Sequence, residues 1–68
     1  MLLKEFNALR LKGSEQIEVT LRNGKVLIGI LLNDYLSLDE ILIYNLGKEY
    51  QNAEELIKVD VIRELKVI

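Results

Sequence analysis

Val19-Thr20-Leu21-Arg22-Asn23-Gly24-Lys25-Val26-Leu27-Ile28-Gly29-Ile30-Leu31 is the stretch that decides the fold. Two runs of β-branched and other apolar residues flank Asn23-Gly24, a pair that tolerates positive φ and so favours a tight hairpin connection. Gly29 then interrupts the return run. A glycine inside a strand marks a bulge, a bend or a close approach of another backbone. A hairpin that bends at a fixed point in its second strand is how a sheet begins to curl into a small barrel.

Before this hairpin, Gln16 to Arg22 alternates, with Ile17, Val19 and Leu21 against Glu18, Thr20 and Arg22. That pattern predicts a strand with one wet face. Lys25 to Leu32 does not alternate. Leu27, Gly29 and Leu31 lie on one face, and Val26, Ile28, Ile30 and Leu32 on the other. A strand apolar on both faces is expected to be covered on both, here by a helix or by a neighbouring subunit. Further out, Met1 to Leu11 places Leu2, Phe6 and Leu9 at helical spacing, and Gly13-Ser14 supplies a stop. After the hairpin come a polar turn over Asn33 to Leu38 and a third strand over Glu40 to Asn45. Another turn covers Leu46 to Ala53, and a fourth strand covers Glu55 to Val59. A tight turn at Asp60 to Ile62 leads into a fifth strand over Arg63 to Ile68, with Leu65 and Val67 inward. The expected architecture is mainly β: a short N-terminal helix within residues 1–12, then a strongly bent, five-stranded antiparallel barrel of SH3 type over residues 16–68, all one domain.

Composition narrows what such a domain does. A chain of 68 residues buries only about 60% of its unfolded surface, so small domains lean on disulfides, metals or self-association. The chain has no Cys and no His. That removes disulfides, thiolate and imidazole metal sites, and the usual general base. No nucleophile–base pair and no phosphate-cradling loop is visible, so neither an enzyme, a metal nor a cofactor is expected. Self-association is the remaining support. It suits a chain that is 50% apolar and whose aromatics are only Phe6, Tyr35, Tyr44 and Tyr50. The net charge of −2 lacks the basic footprint of a general nucleic-acid binder, so any such binding has to be local. No signal-peptide pattern and no apolar run of about 20 residues is present, and the expected location is cytoplasmic.

With these elements in order, the chain resembles the Sm-like family, which includes the bacterial Hfq proteins. The first motif is similar to Val19-x-Leu21-x-x-Gly24-x-x-Leu27-x-Gly29-x-Leu31, and the second to Ile57-Lys58-Val59-Asp60-Val61-Ile62; Phe6-Asn7-Ala8-Leu9-Arg10 is similar to the end of the family's helix. The resemblance implies a homo-oligomeric ring of six or seven subunits, in which the fourth strand of one subunit pairs with the fifth of the next. It also implies single-stranded RNA bound near the pore. In the family an Asp, an aromatic and an Asn after the second strand hold a base. Counting from Gly29, those positions carry Tyr35, Ser37 and Asp39, and a one-residue slip brings in Asp34 and Leu36. The implied RNA-binding residues are therefore Asp34, Tyr35, Asp39 and Lys58, the last standing where the family has an Arg or Lys. Asn23, Gly24 and Gly29 are read as turn and bend residues. The alternative is a protein-interaction or assembly module on the same barrel that binds no RNA.

Overall fold

Strict inward–outward alternation builds most of the sheet. The structure is a computed structural model that describes residues 1–32, 39–47 and 53–68. It contains a helix α1 (Leu3–Ala8) and strands β1 (Gln16–Leu21), β2 (Val26–Leu31), β3 (Glu40–Asn45), β4 (Glu54–Lys58) and β5 (Ile62–Val67). A 3-10 turn, Val59–Val61, joins the last two strands. The mainly β expectation holds, and each expected strand boundary lies within a residue of the observed one.

The five strands form one antiparallel sheet in the order β4-β3-β2-β1-β5. Inward residues of every strand meet in a single core: Ile17 and Val19 from β1, Leu27 and Leu31 from β2, Ile41 and Ile43 from β3, Ile57 from β4, and Ile62 and Leu65 from β5. Phe6 of α1 and Val59 of the 3-10 turn complete it. The order also requires curvature. In a flat sheet the two edges lie roughly 19 Å apart, at about 4.8 Å per strand. A three-residue 3-10 link rises only about 2 Å per residue. Since Val59–Val61 joins one edge strand to the other, the sheet bends until the end of β4 approaches the start of β5.

The opening hairpin has one loop residue more than its dipeptide alone suggests. Gly24 N–H donates to the Leu21 carbonyl at 2.9 Å, and Leu21 N–H donates to the Lys25 carbonyl at 2.8 Å. Gly24 has φ +91°, whereas Asn23 keeps a negative φ. The loop is thus Arg22-Asn23-Gly24, the three-residue connection in which a β-turn is closed by a glycine at positive φ. Asn23 contributes its side chain instead, its Oδ1 accepting the Lys25 N–H at 2.9 Å. Gly29 is the close approach. A Cβ there would fall on the carbonyl oxygen of Tyr44 and within 3.1 Å of its carbonyl carbon.

Three expectations change. The helix ends at Ala8, well before Gly13, because Arg10 itself takes a positive φ of 53°. The chain reverses there, and Leu11 packs back against the core. Val67 faces inward opposite Ile17, yet is 58% exposed because nothing follows β5 at that edge among the described residues. Among the described residues, nothing covers the second face of β2. Val26, Ile28 and Leu32 are exposed, because α1 packs against the 3-10 turn and sends Phe6 into the core from the other side of the sheet.

Candidate functional site

The segment Lys58–Val61 is where separate parts of the chain converge. Val59 N–H donates to the Asp39 carbonyl at 2.8 Å. Arg22, from the tip of the β1–β2 hairpin, donates its N–H to the Val61 carbonyl at 2.8 Å and its Nε–H to the Asp60 carbonyl at 2.7 Å. Helix α1 packs on the same turn. The turn is therefore anchored from three directions, and Val59 fixes it to the core.

Two of the four implied RNA-binding residues meet here. Asp39 enters β3, and Lys58 ends β4. Glu40 and Lys58 are direct cross-strand partners, so the two candidates stand one residue apart across the ladder. Both are exposed. Their surroundings are mixed in charge: Asp39, Glu40 and Asp60 are acidic, and Lys58 and Arg22 are basic. Lys58 offers an anion a point charge without the planar fork of an Arg. The other two candidates, Asp34 and Tyr35, lie outside the described residues. Of the turn and bend residues, Asn23, Gly24 and Gly29 act as described above.

A second polar arrangement escaped sequence reading. Asn45 ends β3 facing inward and is 7% exposed. Its Nδ2 donates to Glu55 Oε2 at 2.7 Å, its Oδ1 accepts the Gly47 N–H at 2.8 Å, and its own N–H donates to the Ala53 carbonyl at 2.8 Å. A buried amide has to be satisfied in this way. The alternation Ile41-Ile43-Asn45 carried the signal, since it puts an amide at an inward position. Glu15 is a third case. Its carboxylate accepts backbone N–H groups from Lys12 at 2.6 Å and Gly13 at 2.7 Å, and these hold its pKa below the usual value, the Lys12 bond most strongly. These two networks brace turns and have no visible reactive chemistry.

Among the described residues, no group of three or more His, Cys, Asp or Glu side chains is placed to hold a metal ion, and no helix is long and apolar enough to cross a membrane. No protein-family model, no curated protein and no solved structure matches the chain. Its function is therefore argued from geometry and the sequence resemblance.

The sheet edges are the remaining structural feature. Hydrogen bonds from Asn45 to Ala53 and from Val59 to Asp39 flank the pairs Tyr44–Glu54 and Glu40–Lys58. In an antiparallel ladder this turns the backbone N–H and C=O of Glu54, Leu56 and Lys58 away from β3. On β5, the Ile68 N–H bond to the Gln16 carbonyl marks Ile17–Val67 as a non-hydrogen-bonded pair. Leu65 and Val67 thus turn their backbone groups away from β1. Among the described residues each edge presents donors and acceptors that a further strand could complete, except the Lys58 carbonyl, which the 3-10 turn uses.

Proposed function

We propose that this chain is a non-enzymatic, Sm-like subunit whose bent sheet forms a small barrel and which assembles with copies of itself into a cytoplasmic ring of six or seven. The β4 edge of one copy pairs with the β5 edge of the next. The observation that carries this reading is the strand order β4-β3-β2-β1-β5, which leaves two different strands at the two edges. A contact between unlike edges is head-to-tail, and head-to-tail contacts close into rings when the rotation allows. The second part of the proposal is that the ring associates with single-stranded RNA at the junction of Asp39 and Lys58, with Asp34 and Tyr35 from the preceding segment. Asp39 accepts a hydrogen bond from a base edge, Lys58 meets a phosphate, and Tyr35 stacks on a base, a contact worth about 1–3 kcal/mol.

One observation favours the reading without RNA. Asp39, Glu40 and Asp60 outnumber Lys58 and Arg22 at this junction, and a ring repeats that acidic excess at every subunit, opposing phosphate. On that reading the protein is an assembly module with the same edges and no nucleic-acid ligand.

Sedimentation at micromolar concentration tests assembly, and Val67→Pro isolates the edge. Proline there removes an N–H that points to the open side of β5 and leaves the bonds to β1 in place. The expected result is a ring mass for the wild type and a smaller species for Val67→Pro. A wild-type monomer rejects the ring. Binding of short U-rich and A-rich RNA at two salt concentrations tests the rest. Affinity that falls with salt supports RNA association. No binding at low salt rejects it and leaves the assembly module.

A further inference from the structure

The outer face of β2, β3 and β4 carries apolar side chains in register. Leu32 N–H bonds to the Leu42 carbonyl, and Leu42 pairs with Leu56, which makes one row across three strands. Ile30 pairs with Tyr44 in the next row, and Leu46 N–H bonds to the Ile28 carbonyl in the one after. Val26, Ile28, Leu32, Tyr44, Leu46 and Leu56 are between 40% and 64% exposed. The other half of the same face is polar: Gln16, Glu18 and Thr20 on β1, Glu64 and Lys66 on β5. On the outer face the apolar side chains are therefore concentrated on the β2–β4 side, with the exposed Ile68 beside Gln16 as the exception.

We infer that this face is a contact between two copies of the chain, packed face to face about a two-fold axis. Three observations select a second copy as the occupant. The first is size. A large side chain presents about 150–250 Å² when bare, so these six together expose on the order of 500 Å². That reaches the upper range for patches on monomers. With its polar rim it approaches the roughly 800 Å² per partner of a standard stable interface. The second is charge. The rim holds both signs, Lys25 and Lys58 with Glu40 and Glu54, so a copy can meet itself without a field of one sign opposing it. The same balance gives no single-sign field to draw in an anionic membrane. The third is the absence of an internal cover: α1, the one helix among the described residues, is committed to the 3-10 turn and the core. An isologous contact also suits a single patch, since each copy supplies the same residues. This contact is separate from the β4 and β5 edges, so it adds to a ring without depending on one.

The test is the solution mass of the full chain after nuclease treatment, for Leu46→Lys, Val67→Pro and the double variant. Leu46 lies outside the edge strands, and a lysine there sets like charges against each other across the two-fold. Leu46→Lys is expected to halve the wild-type mass, whether the wild type is a pair of rings or a simple pair of chains. If the edges also assemble, Val67→Pro alone leaves a two-chain species, and the double variant is monomeric. Far-UV circular dichroism confirms folding, and Val26→Lys serves as the second face variant. Unchanged mass in both face variants, with the fold intact, overturns the inference, and a Val67→Pro effect in the same series still supports the edge contact.

Discussion

Gly29→Ala is the substitution that most directly probes how this sheet is built. Alanine is ordinarily preferred over glycine within a strand by about 0.5–1 kcal/mol, because glycine loses more conformational freedom on folding. At Gly29 that preference is overridden. The new methyl would overlap the Tyr44 carbonyl oxygen and stand 3.1 Å from the carbonyl carbon. Both are backbone atoms of the neighbouring strand, so no side-chain rotation relieves the overlap. The strands have to separate where β2 and β3 share the registered pairs Gly29–Asn45, Ile30–Tyr44 and Leu31–Ile43. Forced overpacking costs about 1–3 kcal/mol, and weakening a flanking ladder bond, such as Leu46 N–H to the Ile28 carbonyl at 2.9 Å, adds about 1 kcal/mol. Against the intrinsic gain, the net loss is roughly 1–3 kcal/mol, a melting shift on the order of 10 °C for a domain of this size. Urea unfolding at one fixed protein concentration measures it, since self-association makes stability concentration-dependent. The control is Gly24→Ala, where a Cβ meets nothing within 4 Å and the cost is the positive φ of 91° alone, about 1–2 kcal/mol. A Gly29→Ala protein as stable as wild type would refute the close approach of β2 and β3.

Two further predictions concern the polar braces. Asn45→Ala removes the acceptor of the Gly47 N–H and a donor to Glu55, and unfolding in urea is expected to show a loss of about 1–3 kcal/mol; a loss under about 0.5 kcal/mol would mean that the network is dispensable. Asn45→Asp sets a second carboxylate against Glu55, so it is expected to be worse than Ala at neutral pH and to recover in acid. Glu15 has its pKa depressed below 4.5, chiefly by the Lys12 N–H. A depressed carboxylate favours the folded state above its unfolded pKa, and that contribution fades as pH falls through the folded value. Glu15→Gln should therefore flatten the dependence of stability on pH below about 4.5, and superimposable wild-type and variant profiles would rule the brace out.

Much of the fold was legible in sequence because its signals are local. Alternation fixed which residues of β1 turn inward, and Asn23-Gly24 with Gly29 marked the hairpin and its tight point. The end of α1 was not legible. Arg10 takes a positive φ that its residue type does not favour, and the return of Leu11 to the core accounts for the early stop. The candidate site was half legible. The resemblance pointed to Asp39 and Lys58, but only the β3–β4 ladder sets Lys58 opposite Glu40, next to Asp39. Asn45 was not read as an inward amide, and its partners Glu55 and Gly47 depend on how the chain turns back.

The sequence by itself determined the strands, the hairpin and the lack of His and Cys chemistry, because period-two alternation and residue chemistry are properties of short windows. Tertiary structure decided what lies at the edges and what covers the faces. Lys25 to Leu32 is apolar on both sides, and its pattern demands cover without saying from where. The packing of α1 on the 3-10 turn leaves the outer side of β2 open, and the strand order leaves β4 and β5 without outer neighbours among the described residues. Both results depend on which distant segments meet, and a linear pattern holds no record of that.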